Sequence, residues 1–172
     1  HRIPVAIAIF VAIVLQTLLP NDLTLQPTWL LPAIELALLV IIIVTNPRQI
    51  AATKTTRTLG LLLCGIATLA NSISTIMLVH TLLYDSAGIT APKMLGTAAA
   101  IWATNIIVFS LWYWELDRDG PASRALGIKT EPDFLFTQMS ETEPAHNHTW
   151  EPRYFDYLYL AFTNAVAFSP TD

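Results

Sequence analysis

Four apolar runs, Pro4 to Leu19, Trp29 to Thr45, Thr58 to Tyr84 and Met94 to Trp114, fill the chain ahead of Glu115. Runs approaching ~20 apolar residues have the length of membrane spans, and backbone in hydrocarbon must satisfy its own hydrogen bonds. Each run is therefore expected to be an α-helix. Only 13% of the 172 residues are charged and 53% are hydrophobic, against ~25% charged in soluble domains. The expected fold class is all-α: a polytopic membrane helical bundle of four transmembrane helices plus a re-entrant or partial fifth helix.

The fourth run ends in Trp112-Tyr113-Trp114 and passes into Glu115-Leu116-Asp117-Arg118-Asp119-Gly120-Pro121. Aromatic rings with a polar edge favour the lipid–water boundary, so Trp29, Trp112 and Trp114 are expected as interface anchors. The charges that follow read as a solvated helix end. The chain then divides into residues 1–114, the four-helix bundle; residues 115–152, a polar, proline-containing loop; and residues 153–172, a re-entrant or pore-helix-like segment. Tyr154 to Phe168 is apolar and aromatic but too short for a straight span. Within the polar loop, Phe134-Leu135-Phe136 is the one apolar island, expected on the membrane surface or against the helices.

Four spans put eight of the nine basic residues on one side, with Lys93 alone opposite. The positive-inside tendency makes residues 46–57 and 115–152 cytoplasmic in a multi-pass protein of the inner membrane. His1 in place of Met, and an end at Asp172 just past an apolar segment, point to a fragment trimmed at both ends.

A net charge of −4 supplies no basic patch for nucleic acid. The lone cysteine, Cys64, rules out an internal disulfide framework and a thiolate cage, and reads as helix packing. Gly-rich phosphate loop, G-x-S-x-G elbow and H-E-x-x-H are all missing from the sequence. The expectation is a protein that is not an enzyme and uses no cofactor or metal. Its partners are the lipid bilayer and other membrane subunits, either copies of itself or foreign chains. His146 and His148, near Glu143 and Glu151, have zinc-ligand chemistry but read as chance placement in a loop.

Polar groups inside the apolar runs are the intramembrane candidates. Glu35 is the only carboxylate there, and a central acidic residue costs about +2.5 to +3.5 kcal/mol on insertion scales. At ~1.5 Å per residue it lies roughly 9 Å below Trp29, and His80 lies roughly 6 Å below Tyr84 at the same face. The two are candidates to pair, as a proton or cation site or as a structural contact. Asn71 and Asn105 share a depth on the third and fourth helices and are expected to join through an interhelical amide hydrogen bond.

The motifs L-W-Y-W-E-L-D-R (Leu111 to Arg118), P-D-F-L-F (Pro132 to Phe136) and A-F-S-P-T-D (Ala167 to Asp172) resemble an uncharacterised family of bacterial polytopic integral membrane proteins. Such relatives continue into another apolar helix. The tail also resembles the pore helix and filter of potassium-type channels, T-x-x-T-V-G-Y-G-D. Ala167 and Ser169 stand where that filter has glycines, so the resemblance implies a degenerate pore loop in place of a potassium-selective filter. It implies an oligomeric pore lined by Thr163, Asn164, Phe168 and Ser169, with ion conduction or transport as the function. The alternative is a non-catalytic accessory subunit of a larger membrane complex, docking through Trp112 to Asp119 and the Phe134 loop.

Overall fold

The computed structural model describes residues 3–24, 26–45, 54–84, 90–139 and 150–167. Among them all regular structure is helical: α1 (Ile3–Thr17), α2 (Leu30–Thr45), α3 (Lys54–Tyr84), α4 (Ala91–Leu116), α5 (Pro121–Leu126) and α6 (Tyr154–Ala165), with short 3-10 turns between some of them. The all-α expectation holds. Two helices, α3 and α4, are long and apolar enough to cross a membrane, whereas α1 and α2, at 15 and 16 residues, are shorter apolar helices.

The count of four helices plus one is corrected to six. The polar stretch after Glu115 contains α5, whose ends are written in its sequence. Pro121 supplies a preset φ in the first turn, and Gly127 takes the left-handed conformation (φ 62°) that closes the last one.

Helix α4 is the central element. It packs against α1, α3 and α6, while α2 lies on α1 and α3. Small and short side chains make this possible: Gly60, Ala67, Ala70 and Ser74 on α3, and Thr97, Thr104 and Ser110 on α4, are buried. Removing bulk at the contact lets two backbones approach, the usual device for helices in lipid. Thr104 and Ser110 return their hydroxyls to carbonyls of their own helix, so burial leaves neither unsatisfied.

Two apolar clusters result. One, at the charged end of α4, joins Ile9, Leu63, Leu111, Trp114, Tyr154 and Tyr157; the other, at the far end, joins Leu19, Leu23, Leu78 and Ile101. Helix α6 starts beside Trp114, where Tyr154 and Tyr157 meet its ring edge to face. It then runs back along α4, so that Phe162 meets Trp102 at 6.1 Å. At ~1.5 Å per residue its 12 residues reach ~18 Å, about half of a ~30 Å hydrocarbon layer. Its start is fixed by a capping contact from the Arg153 backbone N–H to Asp156 Oδ2 at 2.6 Å.

Candidate functional site

The chain concentrates its buried polar chemistry where α4, α5 and α6 meet. Asp117, the first residue past α4, is 0% exposed, which corrects the reading of this stretch as a solvated helix end. Its Oδ2 accepts from the Tyr157 hydroxyl at 2.5 Å and its Oδ1 from the Asp133 backbone N–H at 2.9 Å. Arg124 lies across the same carboxylate: Nη1 stands 3.9 Å from Oδ2 and donates to the carbonyls of Trp114 and Asp117, both at 2.7 Å.

The guanidinium also covers the Trp114 ring at 4.2 Å from its centroid and the Tyr157 ring at 5.4 Å. A cation over an indole face is attracted by the ring quadrupole, more strongly once water is gone. Burial is the first cause that pulls Arg124 below its ordinary value, and the nearby Tyr157 and Asp117 act against it. Trp114, expected to face the lipid–water boundary, instead turns inward beneath this guanidinium.

The turn that aims these groups is strained. Arg118 (φ 50°) and Asp119 (φ 62°) both adopt the left-handed region, and Gly120 follows at φ 97°. Non-glycine residues there cost ~1–2 kcal/mol each, so surrounding contacts must hold them. Asp133 does so from the loop, accepting from the Arg118 backbone N–H at 2.7 Å while Lys129 Nζ binds both of its oxygens at 2.9 and 3.0 Å. Arg57 of α3 reaches Asp119 at 2.8 Å. The island Phe134-Leu135-Phe136 splits: Phe134 and Phe136 pack edge-on against Tyr157, while Leu135 stays exposed. Residues 129–136 are thus tied down over the end of α4.

The intramembrane candidates resolve differently. Glu35 is 1% exposed and pairs with Gln16 of α1, whose Nε2 donates to Oε1 at 3.2 Å and Oε2 at 3.3 Å. The expected pairing with His80 is corrected. His80 lies on the exposed face of α3, its ring 5.0 Å from that of Tyr84. Glu35 turns into the bundle, whereas His80 turns out of it. Asn71 and Asn105 do meet, Nδ2 to Oδ1 at 3.3 Å. Trp29 is exposed, and Trp112 is half-buried with Nε1 donating to Thr68 Oγ1 at 2.8 Å.

Of the pore-lining candidates, Thr163 is buried against the bundle and donates to the Leu160 carbonyl at 3.0 Å. Asn164 is exposed and donates to the Tyr113 hydroxyl at 3.2 Å. Phe168 and Ser169 lie outside the described residues, as do Glu143, His146 and His148. No group of three or more His, Cys, Asp or Glu side chains among the described residues is arranged to hold a metal ion.

Sequence reasoning missed Tyr157 and Arg124 of the Asp117 cluster and Gln16 as the partner of Glu35. Gln16 was visible as one of two polar residues, with Thr17, in the first apolar run, a signal like the one that singled out Glu35. No family model, curated protein or solved structure matches the chain.

Proposed function

We propose that this chain is a multi-pass membrane protein that serves as a non-catalytic subunit of a larger membrane assembly, with α6 as the helix it presents to neighbours. The observation behind this is the two-sidedness of α6. Tyr154, Tyr157 and Ala161 bury one face against the bundle, while Phe155 and Tyr159, at i and i+4, leave another face aromatic and exposed, with Phe162 at i+7 partly covered by Trp102 at its edge. The membrane setting is supported by outward apolar residues on every long element, including Ile7 and Phe10 of α1, Leu69 and Ile76 of α3, and Leu95 and Phe109 of α4. Helices apolar on all sides suit lipid. The paired Glu35–Gln16 and Asn71–Asn105 contacts leave these polar groups engaged inside the chain, which fits a scaffold role better than a substrate path.

A second reading has its own support. A half-depth helix that descends from the charged end, with Asn164 exposed near its inner tip, has the form of a pore helix. In that reading several copies share an axis, lined by Thr163, Asn164, Phe168 and Ser169, and conduct ions. The charge bias makes the side carrying residues 115–152 cytoplasmic.

The deciding experiment is the mass of the full chain extracted in mild detergent, compared with a Phe155→Ala/Tyr159→Ala/Phe162→Ala variant. Companions lost in the variant, with helicity intact, support the assembly role; a monomer in both cases removes it. Ion flux in vesicles that falls on substitution of Asn164 and Ser169 supports the pore, and unchanged flux removes that.

A further inference from the structure

Two carboxyl groups are buried among the described residues, Asp117 at 0% exposed and Glu35 at 1%. Their surroundings differ. Asp117 draws donors to 2.5 and 2.9 Å, and the guanidinium groups of Arg124 and Arg118 each stand 3.9 Å from its Oδ2. Glu35 has one neutral partner, the Gln16 amide, whose Nε2 lies 3.2 and 3.3 Å from its two oxygens. Hydrogen bonds to an ionised carboxylate shorten to ~2.7–2.9 Å. This contact stays long.

The elements packed on α2 bring no charge to offset one on Glu35. These are α1 and α3. From Ile3 to Thr17, α1 holds no ionisable residue. On α3, Lys54 and Arg57 stand at the charged end with Glu115 and Asp119, and Cys64 joins the apolar cluster of that end. His80 and Tyr84 are exposed. Glu35 lies one turn of α2 before Leu39, a member of the same cluster, and so sits further from the charged end. No ion pair among the described residues includes it. A carboxyl taken out of water with no cation beside it neutralises instead of carrying its charge.

We propose that Glu35 is a proton-binding site, held in the folded chain as an undissociated acid. Gln16 suits that form, because an amide has a donor and an acceptor side by side. Its Nε2 donates to the carboxyl group, and the same amide turned over offers Oε1 to the carboxyl O–H. The bound proton lets α1 close on α2 with no uncompensated charge between them. The site lies inside the chain and does not depend on the assembly role of α6.

Infrared spectroscopy of the full chain in mild detergent at neutral pH tests the proposal. The native chain is expected to show the C=O band of an undissociated carboxylic acid, and Glu35→Gln, which keeps the size of the side chain and its contact with Gln16, to lose it. Gln16→Lys places an ammonium beside the carboxyl and is expected to lose the band as well, since the cation takes the proton's place. Helicity is measured on each chain, and Gln16→Lys decides if Glu35→Gln does not fold. Absence of the band from the native chain overturns the proposal, because Glu35 is then ionised. A band undiminished in folded Glu35→Gln overturns it too, because the proton then belongs to another acid. The band is read on single chains and assemblies alike, so its outcome is separate from that of the α6 variant.

Discussion

Tyr157, in the first turn of α6, donates its phenolic proton to the buried carboxylate of Asp117 at the end of α4, 40 residues earlier, over 2.5 Å. That bond ties α6 to the bundle, and Arg124 completes the arrangement by sitting over the Tyr157 and Trp114 rings. The carboxylate neutralises the guanidinium, the guanidinium covers the aromatic rings, and the ring hydroxyl occupies the carboxylate.

Breaking that arrangement at its centre is expected to be costly. Asp117→Asn leaves Arg124 buried without its counter-charge, and loss of one partner from such a pair costs about 3 kcal/mol or more. Tyr157→Phe removes one hydrogen bond to a charged acceptor, about 1.5 kcal/mol. Thermal unfolding in detergent checks both. Because the groups share partners, the double variant is expected to lose less than the two single losses together; strict additivity contradicts the arrangement.

The Glu35–Gln16 contact makes a second test. Gln16→Leu strands Glu35 among apolar side chains and is expected to destabilise by about 1–3 kcal/mol. Adding Glu35→Leu recovers most of that, since replacing both partners by apolar groups is close to neutral. His80→Ala, by contrast, changes stability little, because His80 stands on the exposed face of α3. A His80 variant as damaging as the Gln16 one rejects this pairing.

Gly60 reports on the approach of α3 to α4. An added methyl meets the far end of the Glu115 side chain, 2.7 Å from Oε2. Gly60→Ala is therefore expected to cost about 1 kcal/mol by displacing that carboxylate while the helices stay packed. Glu115→Ala in the same chain relieves the clash. The check is the midpoint of unfolding for the single and double variants; no relief means that the contact lies elsewhere.

Acid acts on the loop through Asp133. The hydrogen bond from Lys129, then the Arg118 backbone N–H, hold its carboxyl below the ordinary carboxylate range. A folded value below the unfolded one gives stabilisation that is present above about pH 4 and lost as pH falls through the lowered value. Lys129 is raised, first by the Asp133 hydrogen bond, so its share is present below its ordinary pKa and lost as pH rises through the raised value. Both groups are exposed, so the effect is small and salt-sensitive. Hydrogen exchange at the Arg118 amide, corrected for its intrinsic rate, is expected to quicken below about pH 4 in the native chain and to be fast throughout in Asp133→Ala.

Helix α5 and the Asp117 cluster mark where sequence reading failed. Four charges in five residues after Trp114 resemble any solvated helix end, and nothing local shows that one will be roofed by an arginine and a tyrosine from later elements. The caps of α5, Pro121 and Gly127, were legible but short enough to pass as turn residues. The pairing of Asn71 with Asn105 was legible because both lie on long helices that pack along their length.

The sequence by itself determined the four apolar helices, the charged boundary after Trp114 and the place of each polar group along its helix, because hydrophobicity and a fixed rise per residue are properties of a chain read in one dimension. Only the tertiary structure decided which way each group turns: Glu35 towards Gln16 and away from His80, Trp114 inward, Asp117 out of water. Two residues at one depth meet only if their helices turn the same faces together. That rotation is set by small side chains, Gly60 and Ser110 among them, whose contribution is the space they leave.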